Sequence, residues 1–193
     1  MHRDIERVLI SQYQIMARVK EMAEQITLDF SGGGEITIVP VLTGAMIFCG
    51  DLIRQIPIQM RIGLLAVSSY PGASISTQGS QVLSQQLGDI RDHHVLLLDD
   101  ILDSGGTLRL ITPMLKQAGA ISVRCCVLLR KDRPQAKQMT VDYVGFEIPD
   151  EFVVGYGLDY NNYYRNLPDI VTLTAEAIAR TTPTAATSKA TNP

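Results

Sequence analysis

Apolar residues recur at helical spacing near the start of the chain: Ile15, Val19, Met22 and Ile26. Those steps place them on one face and predict an amphipathic helix over about 12–29. Ser11 and Gln14 just ahead have the form of a capping box, with Ser at N-cap and Gln at N3. Gly32-Gly33-Gly34 then breaks the chain, and the pattern changes. Residues 36–42 form a continuous apolar run and read as a buried strand, with Pro40 where no ladder donor is needed. A helix is expected over 45–56, a strand over 60–68, and a Gly/Ser/Thr-rich loop over 70–79. Four apolar residues at 95–98 read as another buried strand. A helix over 107–117 follows, with Leu108, Ile111 and Leu115 on one face and Pro113 expected to weaken or bend it. Residues 121–129 read as a further buried strand.

Strand and helix patterns alternate from 36 to 129, which implies an α/β fold: a central parallel sheet flanked by helices. Shorter strand patterns follow at 143–148, 152–156 and 170–173 and are expected to form a small hood over the open edge. The domain is drawn as 1–180, its core at about 36–148 and its hood taken from the N-terminal and 149–180 segments. From Thr181 the chain has no bulky apolar residue to bury. Residues 181–193 are expected to be a disordered tail.

A chain of 193 residues fits one domain with a full core. The net charge of −3 argues against a general nucleic-acid or membrane-surface binder. No apolar run approaches the ~20 residues needed to span a bilayer. The N-terminus alternates charges and lacks the apolar stretch of a secretion signal, so a cytoplasmic protein is expected. Of the three cysteines, Cys49 falls in a helical apolar stretch and Cys125-Cys126 in a strand. Adjacent strand side chains point to opposite faces, so Cys125 and Cys126 are poor partners for each other and read as core.

The most informative stretch runs from Val95 to Thr107. A buried strand ends in Asp99-Asp100, a third acid follows at Asp103, and Ser104-Gly105-Gly106-Thr107 turns into a helix. Ligands of open α/β sheets bind outside the carboxyl ends of the strands. A glycine turn into a helix N-terminus offers backbone N–H groups and a positive dipole end to an anion. Acids for hydroxyls beside a turn for a phosphate point to a sugar phosphate. Asp103 could equally cap the helix.

This pattern resembles the phosphoribosyl-diphosphate (PRPP) signature of type I phosphoribosyltransferases. The likeness extends in order through Leu42-Thr43-Gly44, Ser68-Ser69-Tyr70, Leu129-Arg130-Lys131 and Ile148 to Tyr160, with Arg165 six residues after Asp159. Together these segments resemble the hypoxanthine-guanine phosphoribosyltransferases over about 5–173. The resemblance implies transfer of phosphoribose from PRPP to hypoxanthine or guanine. It assigns Asp99 and Asp100 to the ribose hydroxyls, and Asp103 to general acid/base work at N7 of the purine. Ser104, Gly105, Gly106 and Thr107 would hold the 5-phosphate. Thr43, Gly44 and Arg165 would contact pyrophosphate, from a loop that often has a non-proline cis peptide in the family. Ser69 and Tyr70 would belong to a lid. Phe152 would stack on the base, Lys131 would donate to its 6-oxo group, and the Val153 backbone would read its edge. Asp159 would support Mg²⁺, with Asp99 and Asp100 also counted toward the metal. Three positions depart from the usual family residues: Thr43 is often basic, Asp99 is usually Glu, and Gly106 is often larger.

PRPP and a 6-oxopurine are therefore the expected partners, with no nucleic acid and no membrane, in a homodimer or homotetramer. Three rival readings use the same fold. One is transfer to another base such as xanthine. Another is a PRPP-binding RNA regulator, against which the acidic balance counts. The third is a silent sugar-phosphate module, against which Asp103 and Lys131 count.

Overall fold

The computed structural model describes residues 3–68 and 81–181. The expected lid residues Ser69 and Tyr70, and the tail from 182, lie outside these.

Strand β1 (Ile5–Ile10) leads into helix α1 (Gln12–Phe30), which opens on the expected capping box. The Ser11 side chain accepts from the Gln14 N–H, and the Gln14 side chain accepts from the Ser11 N–H at 3.0 Å. Then come β2 (Ile36–Leu42), α2 (Met46–Ile53), β3 (Met60–Ile62), β4 (Leu64–Ser68) and β5 (Gln81–Gln86). The chain continues through β6 (His94–Leu102), α3 (Gly106–Gln117), β7 (Ser122–Lys131), α4 (Pro134–Lys137), β8 (Tyr143–Ile148), β9 (Ile170–Leu173) and α5 (Ala175–Thr181).

The main sheet runs β5-β4-β2-β6-β7-β8, with β3 also paired to β2. All its pairings are parallel except β4 with β5. Alternation within the strands fills two layers. Ile36, Ile38, Leu96, Leu98 and Cys126 pack with α1 and α2. Val39, Val41, Val95, Leu97 and Cys125 pack with Leu108, Ile111 and Leu115 of α3. The two adjacent cysteines thus face opposite layers, and all three cysteines are buried and free. Burial pushes the Cys49 thiol up to about 11.

Several elements differ from the sequence pattern. The expected strand over 60–68 is two strands divided at Gly63, whose N–H donates to the Ile38 carbonyl at 2.9 Å. β3 pairs with β2 at 36–38 and β4 pairs with it at 41–42. Pro40 falls in the gap between these pairings, so its missing donor costs no ladder bond on that side. The helix expected over 45–56 is shorter. β8 joins the main sheet beside β7 rather than forming part of a hood. Residues 152–156 form no strand; an isolated bridge links Val154 to Val171. β9 instead pairs with β1, a strand the hydrophobic pattern did not mark, in a separate two-stranded antiparallel sheet. Thr181, assigned to the tail from sequence, ends α5. Helix α3 continues through Pro113, which is exposed. The carbonyl four residues back belongs to exposed Arg109, so water can satisfy it where proline cannot.

Among the described residues, no helix is long and apolar enough to cross a membrane.

Candidate active site

The chain builds outward from β2 through β3, β4 and β5, then starts again at β6 and builds the other way through β7 and β8. The sheet therefore reverses between β2 and β6, and a crevice is expected outside their carboxyl ends. A cavity of about 800 Å³ opens there. It is lined by Thr43 and Gly44 after β2, by Asp99, Asp100 and Asp103 at the end of β6, and by Ser104 to Thr107 at the start of α3. Phe152, Asp159 and Arg165 also line it. The bond between Leu42 and Thr43 is cis.

The acid pair lies inside β6, not beyond it: the strand runs on to Leu102 and pairs Asp99 with Val127. Asp99 is buried at 6% exposure. Burial first, then the neighbouring Asp100 charge, holds the Asp99 carboxyl well above the usual range. Burial also raises Asp100, against the hydrogen bonds it accepts and the Arg165 charge. The Ile101 N–H donates to Asp100 Oδ1 at 2.9 Å.

Gly105 takes the left-handed conformation, φ +79, and is the N-cap of α3. Asp103 therefore does not cap this helix. The turn is braced from behind by the Arg109 guanidinium, which donates to the Ser104 carbonyl. A helix N-terminus with no side chain at its cap leaves room for an anion at its first turn.

Asp159 and Arg165 form an ion pair at 2.7 Å. The hairpin between them uses Asn161 and Asn162 at positive φ, which Asn tolerates. The Asn162 N–H closes the turn onto Asp159 Oδ2 at 2.8 Å. Arg165 also donates to the Gly157 carbonyl at 2.7 Å. Phe152 is 49% exposed and meets the Tyr160 ring edge-on, with centroids 5.3 Å apart.

Lys131 and Val153 are both buried and are not among the residues that line the cavity. Lys131 Nζ reaches Asp103 Oδ2 at 3.2 Å. Two residues that sequence reasoning missed complete this corner. Arg133 donates to Asp103 Oδ1, and its Nε lies 2.6 Å from Asp150 Oδ2. Asp150 also faces Lys131 Nζ at 3.6 Å.

Residues 9–161 match the family model described as the phosphoribosyl transferase domain. A hypoxanthine-guanine phosphoribosyltransferase of Staphylococcus epidermidis is 41% identical over 180 residues, 93% of this chain and 100% of the relative. The chain belongs to the hypoxanthine-guanine phosphoribosyltransferases. Solved structures agree. A Staphylococcus aureus hypoxanthine phosphoribosyltransferase superposes with a TM-score of 0.84 at 40% identity, covering 91% of this chain and 95% of that one. A Trypanosoma cruzi hypoxanthine phosphoribosyl transferase gives 0.86 at 33% identity, covering 93% and 97%.

In this phosphoribosyltransferase, the three carboxylates counted toward a metal line one cavity, but no group of three metal-binding side chains comes together among the described residues. Magnesium rarely uses an all-protein cage; it keeps water and takes one or two carboxylates together with substrate phosphates. An oxygen-only donor set of this kind fits it.

Arg133 carried a faint sequence signal. Arg133 stands two residues past Lys131 and directly before Pro134, which restricts it to extended backbone. Its φ of −126 and ψ of 144 meet that restriction.

Proposed function

We propose that this chain transfers the 5-phosphoribosyl group of PRPP to hypoxanthine or guanine, giving IMP or GMP and pyrophosphate. The observation that carries this reading is the shared cavity. One wall offers acids and a helix-terminal turn suited to a sugar phosphate. The lining also carries the exposed ring of Phe152, and Asp103 on it pairs with the buried Lys131, groups suited to an oxopurine.

In this reading Asp99 and Asp100 receive the ribose hydroxyls. Ser104, Gly105, Gly106 and Thr107 take the 5-phosphate at the positive end of α3. Thr43, Gly44 and Arg165 face pyrophosphate. Phe152 stacks on the base, Lys131 donates to its 6-oxo group, and the Val153 backbone reads its edge. Asp103 exchanges the N7 proton as carbon–nitrogen bond formation changes the charge on the ring. Ser69 and Tyr70 belong to the segment proposed to exclude water from the reacting carbon. Mg²⁺, held by Asp159 and the acid pair with substrate oxygens, would neutralise phosphate charge. The rest is positioning and electrostatics. A cytoplasmic setting and a homodimer or homotetramer belong to the same proposal.

The test is direct. The protein is incubated with PRPP, Mg²⁺ and separate purine bases, and nucleotide is followed by chromatography. IMP and GMP should form, should stop on adding EDTA, and should return with excess Mg²⁺. Nucleotide formed only with xanthine, or in thoroughly chelated buffer, would overturn the reading.

A further inference from the structure

Lys131, Asp103, Arg133 and Asp150 form a closed ring of alternating charge. Lys131 Nζ faces Asp103 Oδ2 at 3.2 Å and Asp150 Oδ1 at 3.6 Å. Arg133 bridges the other oxygens of the same two carboxylates, Oδ1 of Asp103 and Oδ2 of Asp150. Strand pairing sets the ring. Lys131 ends β7 opposite Ile148, the last residue of β8, and Asp150 follows two residues on. The Asp132 N–H holds the strand ends together through the Ile148 carbonyl at 2.8 Å. Pro134 then fixes Arg133 in extended backbone, at the rim of the cavity.

The ring carries two cations and two anions. Lys131 is buried, with 8% of its side chain exposed, whereas the other three are each about two-fifths exposed. Two acids therefore compete for one buried ammonium. Arg133 holds both acids in a fork geometry that a single ammonium cannot reproduce. The guanidinium also holds the Asp150 carboxyl below its ordinary range.

We infer that Arg133 is a positioning residue for the base site: by binding Asp103 and Asp150 together, it frees Lys131 to turn from them to the incoming base. The inference rests on the proposed role of Lys131 as donor to the 6-oxo group. Without Arg133, two carboxylates would share one ammonium, and the base would have to displace it from both. The effect should fall on base affinity, because the partners of Arg133 are the two acids that face Lys131, not the groups of the α3 turn.

Steady-state kinetics on the full-length protein test this. Arg133→Ala should raise the KM for hypoxanthine on the order of 10-fold, the scale of a coupled charge network. The KM for PRPP should stay within about twofold. Adding Asp150→Asn removes the competing acid and should recover at least half of the loss on a logarithmic scale. Arg133→Lys keeps the charge without the bridge, and should shift the hypoxanthine KM in the same direction by less. It also serves if the alanine variant folds poorly. An unchanged hypoxanthine KM, an equal rise in both KM values, or an Asp150→Asn change that deepens the defect would overturn the inference. Lys131→Ala run alongside separates the two claims. If it leaves hypoxanthine kinetics unchanged, the base-site reading fails. If it is impaired while Arg133→Ala is normal, only the role of Arg133 fails.

Discussion

Gly44 lies directly against the Asp100 carboxylate: a Cβ on Gly44 would overlap both Oδ2 and Cγ of that side chain. The contact joins the loop after β2 to the end of β6, across the point where the sheet reverses. A second close approach backs it, because a Cβ on Gly157 would overlap the Gly44 carbonyl. Two loops and the end of β6, distant in sequence, thus meet closely at Gly44. That closeness lets short groups such as Asp100 and the Gly44 backbone face one small substrate.

Gly44→Ala should therefore displace Asp100 or its own loop. Misplacement by about 1 Å can cost ~10²-fold in rate, and a loss of that order in kcat/KM for PRPP is expected. Gly50 is the control. It lies inside α2 with open space where its Cβ would be, so Gly50→Ala should preserve turnover and stabilise by ~0.5–1 kcal/mol. Equal kinetics for Gly44→Ala and wild type would show that the contact has no functional weight.

Asp99→Asn should make the protein more stable and less active. The folded-state pKa of Asp99 is raised by burial and by Asp100, so the folded protein binds its proton more tightly than the unfolded chain does. Stability is then lost as pH rises from the unfolded value, near 3.9, up through the folded one. At neutral pH asparagine avoids that cost. The gain should be on the order of 1 kcal/mol, or ~2–4 °C in melting temperature for a chain this size. It should shrink toward zero below about pH 4. A lower melting temperature for Asp99→Asn at pH 7 would contradict the buried-acid account.

Asp103→Asn should lower turnover by ~10²–10⁴-fold, the range for a lost general acid/base. PRPP affinity should largely survive, since the α3 turn is untouched. Gly105, not Asp103, caps α3, so no loss of helix capping accompanies the substitution. Near-normal turnover would remove Asp103 from the chemistry.

The α/β frame was legible because its signals are local and repeated. The 3.6-residue period of α1, the apolar run at β2 and the acids ending β6 each sit within one element. The missed elements lack such signals. β5 reads Gln-Val-Leu-Ser-Gln-Gln and is almost wholly exposed, because an edge strand needs no apolar face. β1 is short, exposed over Glu6 to Val8, and held by pairing to β9, more than 150 residues away. The division of 60–68 into two strands follows from how they pair with β2, which no window on that segment contains. At the site, the family resemblance located the acids, the α3 turn and Lys131. Arg133 and Asp150 escaped because their role depends on β7 and β8 ending side by side.

Discrimination against adenine follows from the buried ammonium. In the proposed pocket, Lys131 can only donate. Hypoxanthine and guanine present a carbonyl acceptor at position 6, whereas adenine presents an amino group. Lys131 is buried beside Asp103 and Asp150, so little water is at hand to relieve two donors that face each other. Sites built around a specific hydrogen bond can discriminate by ~10⁴–10⁵-fold. Wild type should accordingly prefer hypoxanthine over adenine by a ratio of that order in kcat/KM. Lys131→Ala should lose efficiency with hypoxanthine far more than with adenine, which narrows the ratio from the hypoxanthine side. The ring predicts a further detail: the alanine variant leaves Asp103 and Asp150 on Arg133 alone, so the pocket loses its donor without gaining an unpaired acid. Competition assays with both bases in one mixture, read as IMP against AMP, measure the ratio directly. Comparable IMP and AMP from wild type, or a ratio unmoved by Lys131→Ala, would mean that another group reads position 6.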